Sequence, residues 1–445
     1  MPPHVESQPS ARNWAFLLRA LRHRNYRLFF GGQSVSLIGT WMTRIATSWL
    51  VYRLTGSALL LGVVGFAGQI PTFLLAPFAG VWVDRLNRHR VLVVTQALAM
   101  LQSFALAGLA LAHRITVWDI IWLSAFQGLI NAFDMPARQA FVVEMVEERE
   151  DLSNAIALNS SMVNMARLIG PSLAGVIIAL SGEGYCFLID GFSYMAVIAS
   201  LLLMRLRPQA TRGARRNMLA ELKEGWAYVS RSVAIRALLL LLALVSLVGM
   251  PYTVLMPIFA SNILHGGPHT LGFLMAASGV GALTGALRLA SRKTVLGLGR
   301  VVTVSAALFG AGLIGFSLSQ RQWLSLALMF ATGMGMMQTM AASNTILQTI
   351  AEEEKRGRVM SYYTMAFVGM APFGSLLAGS VAARIGAPRT LLISGICCVA
   401  GAAWFRLHLE EVRRELRPIY RELGILPAIA EGIQQASALQ TPPQE

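Results

Sequence analysis

The sequence predicts an all-α membrane protein, with twelve transmembrane helices in two pseudo-symmetric halves. Three observations lead there. Apolar stretches recur along nearly the whole 445-residue chain, basic residues are sorted onto alternate connections, and one segment has a counterpart 204 residues further on. Composition agrees: 55% of residues are hydrophobic and 13% charged, with a mean hydropathy of +0.57. A soluble chain carries about 25% charged residues, so too little polar surface remains to cover a water-exposed globule.

A helix needs about 20 apolar residues to cross a bilayer. Such runs are expected at 28–52, 58–82, 91–112, 117–135, 155–180, 185–205, 237–262, 270–290, 301–319, 322–345, 361–384 and 388–407. They are too long for outer-membrane strands, which alternate over segments of about ten residues. With the N-terminus inside, 30 of the 37 Lys and Arg fall on interior segments and five (Arg53, Arg114, Arg321, Arg384, Arg389) on exterior ones. That asymmetry follows the positive-inside rule. It predicts a multi-pass protein of the cytoplasmic (inner) membrane with both termini cytoplasmic. It also removes nucleic acid as a partner for the +15 net charge, because the basic residues follow sidedness rather than one domain.

Five segments result. Residues 1–27 form a cytoplasmic amphipathic N-terminal segment, 28–206 and 237–407 the two six-helix bundles, 207–236 a cytoplasmic linker, and 408–445 a cytoplasmic tail. Asn13 to Phe30 mixes apolar and basic residues, as an interfacial helix does, and no cleavable signal is visible. The stretch Glu221–Trp226 suggests a surface-lying helix in the linker. In the tail Glu410 and Arg414, four apart, suit a charged helix that fades into a disordered QTPPQE end. The cysteines Cys186, Cys397 and Cys398 all lie in expected spans, so no disulfide framework is implied. His265 and His269 sit in a Gly/Pro-rich turn, and no metal or other cofactor is expected.

The halves resemble each other. Asn154 to Gly175 overlays Arg358 to Gly379 at an offset of 204, and both copies follow an acidic interior loop. Repeats of six spans are a hallmark of secondary transporters, which hold substrate between the halves at mid-membrane.

Ionisable residues within spans are costly and are therefore candidates for function. Arg44 stands among Thr40, Trp41, Thr43, Thr47 and Ser48; Arg167 lies near the middle of its span with Asn159 and Asn164; Asp190 and Asp134 are the acids, and Gln69, Gln127 and Asn131 are neutral polar groups. Two readings stand side by side. Arg44 and Arg167 either line a cavity or are held structurally, with Arg167 neutralised by Asp190 on the next helix. Asp190 reads first as structural, yet it is the least peripheral carboxylate in any span and the best proton-carrier candidate. The glycines Gly281, Gly285, Gly170, Gly175, Gly374 and Gly379, and the run Met334–Met337, read first as helix packing.

Between the second and third spans stands Gly80-Val81-Trp82-Val83-Asp84-Arg85-Leu86-Asn87-Arg88-His89-Arg90. It resembles the G-x-x-x-D-R-x-G-R-[KR] signature of the major facilitator superfamily. Asn87 replaces the usual glycine and tolerates the left-handed turn that glycine would make. Gly80 permits close packing at a helix end, Asp84 accepts from a neighbouring helix N-terminus, and Arg88 reaches an acid such as Asp134. The resemblance makes Gly80, Asp84, Arg85, Arg88 and Asp134 a conformational latch. In the fifth span Ala166–Gly175 resembles the superfamily's G-x-x-x-G-P-x-x-G-G antiporter motif through Gly170, Pro171 and Gly175, with Ala166 and Ala174 in place of glycines. In the fourth span Gln127-Gly128 match an arginine-bearing motif, but Ser124 occupies the arginine position.

Longer stretches, including Gly39–Met42, Trp49–Ser57, Asn131–Gln139 and Asn154–Ser160, resemble the branch holding enterobactin exporters and macrolide-efflux permeases. That resemblance covers about residues 20–407. It implies the major facilitator fold and a proton-coupled exporter of a small organic molecule, such as a siderophore or drug, working by alternating access on the proton gradient. Arg44, Gln127, Asn131, Arg167, Tyr252 and Tyr363 are the expected cavity residues. A lysophospholipid flippase or nutrient importer of the same fold is the alternative. An integral membrane enzyme is remote, since the inner loops lack HExxH, GxSxG and phosphate-cradling motifs. The expected partners are a small-molecule substrate and membrane lipid, and the expected form is a monomer.

Overall fold

The structure, a computed structural model, describes residues 18–146, 148–205, 226–292 and 294–422. Residues 13–17 of the amphipathic segment, the linker stretch up to Gly225 and the QTPPQE end lie outside the described residues. Among the described residues the chain is helical, without strands. The helices are α1 (Arg24–Thr55), α2 (Ala58–Arg85), α3 (Arg88–Leu111), α4 (Val117–Met145), α5 (Leu152–Ser181) and α6 (Glu183–Leu202), then α7 (Val233–Ile263), α8 (Pro268–Ala290), α9 (Leu298–Leu318), α10 (Gln322–Ile350), α11 (Arg356–Ile385) and α12 (Ala387–Glu422). Helices satisfy every backbone group within the segment, which a bilayer core demands.

Each expected span falls on one of these elements. Ten are long and apolar enough to cross a membrane; α1 and α4 are long but more polar. α1 carries Arg24, Arg27, Arg44 and Arg53, and α4 carries Asp119, Asp134, Arg138 and Glu144. Local signals mark the boundaries. Gly56 ends α1 in the left-handed conformation (φ 60°), and Ser57 caps α2 by accepting from Leu60 N–H. Thr116 and Asp119 form a capping box on α4. Asn87 caps α3 by accepting from Arg90 N–H at φ −71°, so it supplies a side-chain cap and not the left-handed turn expected of it. α7 is interrupted by π-helical stretches at Val245–Gly249 and Phe259–Ile263.

Packing repeats between the halves. In the first, α2 packs on α4, α3 on α4 and α6, and α1 on α5 and α6; in the second, α8 packs on α10, α9 on α10 and α12, and α7 on α11 and α12. Besides slighter contacts of α7 on α1 and α2, two extensive crossings join the sets, α5 on α8 and α2 on α11. Both use glycines. A Cβ on Gly379 would stand 2.7 Å from Gly62 Cα, and one on Gly272 would stand 3.1 Å from Gly175 Cα. Small residues let helix backbones approach in lipid, where dispersion rather than hydrophobic burial drives association. Gly175 and Gly379 are the pair matched by the 204-residue offset, and so are Gly170, against Ile38 and Trp41 of α1, and Gly374, against Leu247 and Pro251 of α7. The repeat legible in sequence thus has the same packing task in each copy.

These crossings lie toward the side where α1 ends and α12 begins. The opposite side, where α1 begins and α12 ends, is the termini side. There Ser160 and Ser161 of α5 and Ser361 and Thr364 of α11 are exposed, polar positions within apolar helices. Gly80 of α2 also lies toward this side, and a Cβ there would meet nothing within 4 Å. The close packing expected at Gly80 is therefore not made in this conformation: the halves meet on the far side and part toward the termini.

The described N-terminal residues pack against the helices. Arg19–Arg22 form a 3-10 turn docked into the corner between α4 and α5, where Ala20 N–H donates to Asn154 Oδ1 (3.0 Å) and Tyr26 Oη to the Ala155 carbonyl (2.7 Å). Asp151, buried, draws them together: His23 Nε2 lies 2.9 Å from one carboxylate oxygen, Arg22 2.8 Å from the same one, and Arg19 Nε 3.0 Å from the other. The His23 hydrogen bond first, and then the two guanidinium charges, hold this carboxyl below the usual carboxylate range. A lowered folded value makes the contribution complete above the unfolded value of about 3.9 and lost as pH falls through the folded one. The melting temperature of Asp151→Ala should therefore lie below wild type at pH 5 to 8 and converge with it below about pH 4. A gap that stayed constant as pH was lowered from about 5 to about 2 would count against the pairing.

The tail is helical as expected through Glu422, but the partner of Glu410 differs. α12 runs unbroken past residue 408 to Glu422, with Val412, Leu416 and Tyr420 buried. Glu410 pairs with Arg413 one turn on, and not with Arg414. Glu415 accepts from Ala234 N–H at 2.9 Å, so the tail caps the start of α7.

Candidate functional site

Two guanidinium groups share one indole at the seam between the halves. Arg44 lies 4.9 Å and Arg167 5.5 Å from the centroid of Trp41. The register of α1 puts Trp41 and Arg44 on one face, three residues apart. α5 brings Arg167 to them because Gly170, one turn on, has no side chain to hold Trp41 away: a Cβ there would lie 2.5 Å from that of Trp41. The backbone at Arg167 and Leu168 in turn abuts Gly279 of α8. Arg44 is exposed and Arg167 half-buried. Among the described residues neither has an acidic partner. Each cation over an indole face gains about 0.5–2 kcal/mol from the ring quadrupole, which does not neutralise it.

Asp190 does not neutralise Arg167 either, contrary to one expectation. It is buried between α1, α3 and α6, 1% exposed. Thr43 (2.8 Å) and Ser103 (2.9 Å) donate to its Oδ2, and Ser193 approaches Oδ1 at 3.4 Å. Gly39 makes the room, since a Cβ there would stand 2.6 Å from Oδ1. Thr43 links this carboxylate directly to the helix that carries Arg44. Hydroxyls serve a buried carboxyl in either protonation state, because each can donate or accept.

The remaining expected cavity residues divide. Gln127 and Asn131 of α4 are half-buried; Gln127 Nε2 donates to Asn131 Oδ1 at 3.2 Å, and Gln127 Oε1 is buried without a partner. Tyr363 is half-buried and stacks on Phe367 with ring centroids 6.4 Å apart. Tyr252 does not line an open surface. It is 1% exposed, its hydroxyl lies 2.8 Å from Ser278 Oγ and its ring meets Phe309 edge-on, so it belongs to the interior of the second half.

The latch residues also separate. Arg88 donates to Glu144 at 2.6 Å. Asp134 is engaged elsewhere, by Arg138 one turn along α4 and by Thr95 (2.9 Å) and Gln96 (2.7 Å) of α3. Glu144 therefore replaces Asp134 as the acid facing Arg88, for a local reason: Arg138 occupies Asp134 from its own helix. Arg85 is exposed, and the Asp84 side chain lies outside the described residues. In the fifth-span motif Gly170 and Gly175 make the close approaches already described, and the Pro171 carbonyl faces Gly272 of α8. Trp41, Ser103 and Glu144 were not singled out as site residues by sequence. For Trp41 the signal was present, an aromatic three residues before an intramembrane arginine.

Comparison with known proteins gives the family and the fold. A family model described as transmembrane secretion effector matches residues 15–425. The chain is similar to the staphyloferrin A transporter of Staphylococcus aureus, 28% identical over 86% of this chain and 98% of that one. It is similar to macrolide efflux protein A of Streptococcus pyogenes, 26% identical over 85% of this chain and 96% of that one. Among solved structures it resembles a bacterial homologue of the human lysosomal transporter Spinster, in an inward-facing and unoccupied conformation, with a TM-score of 0.69 and 13% identity, covering 92% of this chain and 99% of that one.

Proposed function

This chain belongs to the transmembrane secretion effector family of the major facilitator superfamily, and from that premise we propose that it is a proton-coupled exporter of a small anionic organic molecule. It is a multi-pass membrane transporter and not an enzyme, as its family and relatives are. The observation that supports an anionic cargo is the pair Arg44 and Arg167 on Trp41, two intramembrane cations without an acidic partner among the described residues. Such charges are expensive in a bilayer and persist where they meet water or a ligand. Arginine's planar fork suits carboxylate, and an indole suits a flat or apolar part of the same molecule. A carboxylate-bearing siderophore would supply the anionic groups that the two arginines suit, and one relative is named as the staphyloferrin A transporter.

Transport proceeds by alternating access in this reading. The twelve helices form two six-helix bundles, with both termini cytoplasmic and the protein in the bacterial plasma membrane. With the termini side facing the cytoplasm, the parting of the halves on that side opens the site to the cytoplasm in this reading. Substrate enters from the termini side and reaches Trp41, Arg44 and Arg167, with Gln127, Asn131 and Tyr363 as further proposed lining, and the bundles rock about the Gly62–Gly379 and Gly175–Gly272 crossings. Gly80 and the Arg88–Glu144 pair then meet the opposite half as the termini side closes. Asp190 carries the proton, and Thr43 passes its charge state to α1.

The test is made in vesicles holding an imposed inside-acid gradient. Labelled carboxylate siderophore should accumulate, and neutral macrolide and zwitterionic lysolipid should accumulate far less. Flux indifferent to the gradient would sink proton antiport, and preferential accumulation of the macrolide or lysolipid would sink the anionic cargo.

A further inference from the structure

A second cationic site lies away from the seam, on the outer side of the second half. A cavity of about 410 Å³ opens between α9 and α12, lined by Arg300, Thr303, Val304, Arg406, Leu409, Glu410 and Arg413. We propose that this cavity binds the headgroup phosphate of an anionic phospholipid.

Helix register builds the site. Arg406 and Arg413 are two turns apart on one face of α12, and Glu410 lies between them. Arg300 sits in the first turn of α9, which packs tightly on α12: a Cβ on Gly299 would stand 2.7 Å from Leu409. Glu410 accepts from Arg413 at 3.3 Å. Arg300 and Arg406 are exposed and have no acidic partner among the described residues. Three guanidinium groups against one carboxylate leave the cavity cationic. Paired N–H donors of guanidinium match phosphate oxygens in geometry as well as charge.

Depth distinguishes a lipid from a free anion. By hydropathy the apolar runs are 301–319 and 388–407, so Arg300 borders that of α9 and Arg406 falls at the end of that of α12, a depth that suits headgroups. One turn deeper on α9, Val304 is 64% exposed, and Leu407 beside Arg406 is 80% exposed. A phosphate held by the arginines has an apolar wall beneath it for acyl chains. Basic pockets between transmembrane helices on the cytoplasmic side are suited to anionic headgroups.

The test uses the full-length protein in mixed micelles containing equal amounts of phosphatidylglycerol and phosphatidylcholine, with retained lipid counted by native mass spectrometry. Wild type should retain phosphatidylglycerol preferentially. The exposed double substitution Arg300→Gln with Arg406→Gln should lower the ratio of the two lipids roughly 30-fold, and Glu410→Gln should raise it roughly fivefold. A parallel arm adds inorganic phosphate in excess. Equal retention of the two lipids, an unchanged ratio in the double variant, or displacement of phosphatidylglycerol by inorganic phosphate alone would overturn the lipid site.

Discussion

Replacing Arg167 with glutamine is expected to cut accumulation of a labelled carboxylate siderophore in gradient-loaded vesicles by about 10- to 100-fold, with little change in melting temperature. Hydrogen bonds to a charged group contribute about 1.5–3 kcal/mol, and each 1.4 kcal/mol is about tenfold in affinity. Stability changes little because no acidic partner is left stranded; the loss is one cation–indole contact, about 0.5–2 kcal/mol. Arg44→Lys separates charge from shape. Lysine keeps the charge but lacks the planar fork and its stacking on Trp41, so affinity should fall by less than for Arg44→Gln. Equal transport by wild type and Arg167→Gln would remove Arg167 from the cargo site.

The second large effect is expected at Asp190. With one proton exchanged per substrate, a gradient of one pH unit supports about tenfold accumulation, since each unit is worth about 1.36 kcal/mol. Asp190→Asn should abolish that accumulation while leaving exchange of labelled for unlabelled substrate across the vesicle intact. The hydroxyls of Thr43, Ser103 and Ser193 can turn to accept from the amide as they donate to the acid, so the site stays paired but can no longer gain or lose a proton. Exchange activity doubles as the control for folding. Accumulation at the wild-type level in Asp190→Asn would return Asp190 to a packing role.

The sequence was most informative where physics acts along the chain. A bilayer core makes a helix the way to satisfy the backbone of an apolar run, so each expected span coincides with a helical element. The 204-residue repeat was legible because small residues are needed wherever two helices cross closely, and Gly175 and Gly379 meet that need in both copies. Intramembrane charge singled out Arg44, Arg167 and Asp190 for a similar reason: its cost is paid by composition, which a sequence displays.

Pairing across the fold was not legible, because long side chains choose among neighbours that only three-dimensional proximity supplies. Asp134 and Glu144 are both acids on α4 within reach of an α3 arginine in principle, but Arg138 takes the first, leaving Glu144 to Arg88. Tyr252 looked like a cavity residue until Ser278, 26 positions away, received its hydroxyl. Gly80 carries a packing signal that this conformation leaves unused, because a glycine records a close approach without saying in which state it occurs. Arg167 and Asp190, on consecutive helices, looked like a pair; α1 inserts between their roles, presenting Trp41 to one and Thr43 to the other. Hydropathy and charge along the chain thus establish a polytopic helical protein and its repeat. Which intramembrane charges stay without an acidic partner depends on contacts between residues far apart in sequence, where packing settles the competition for partners.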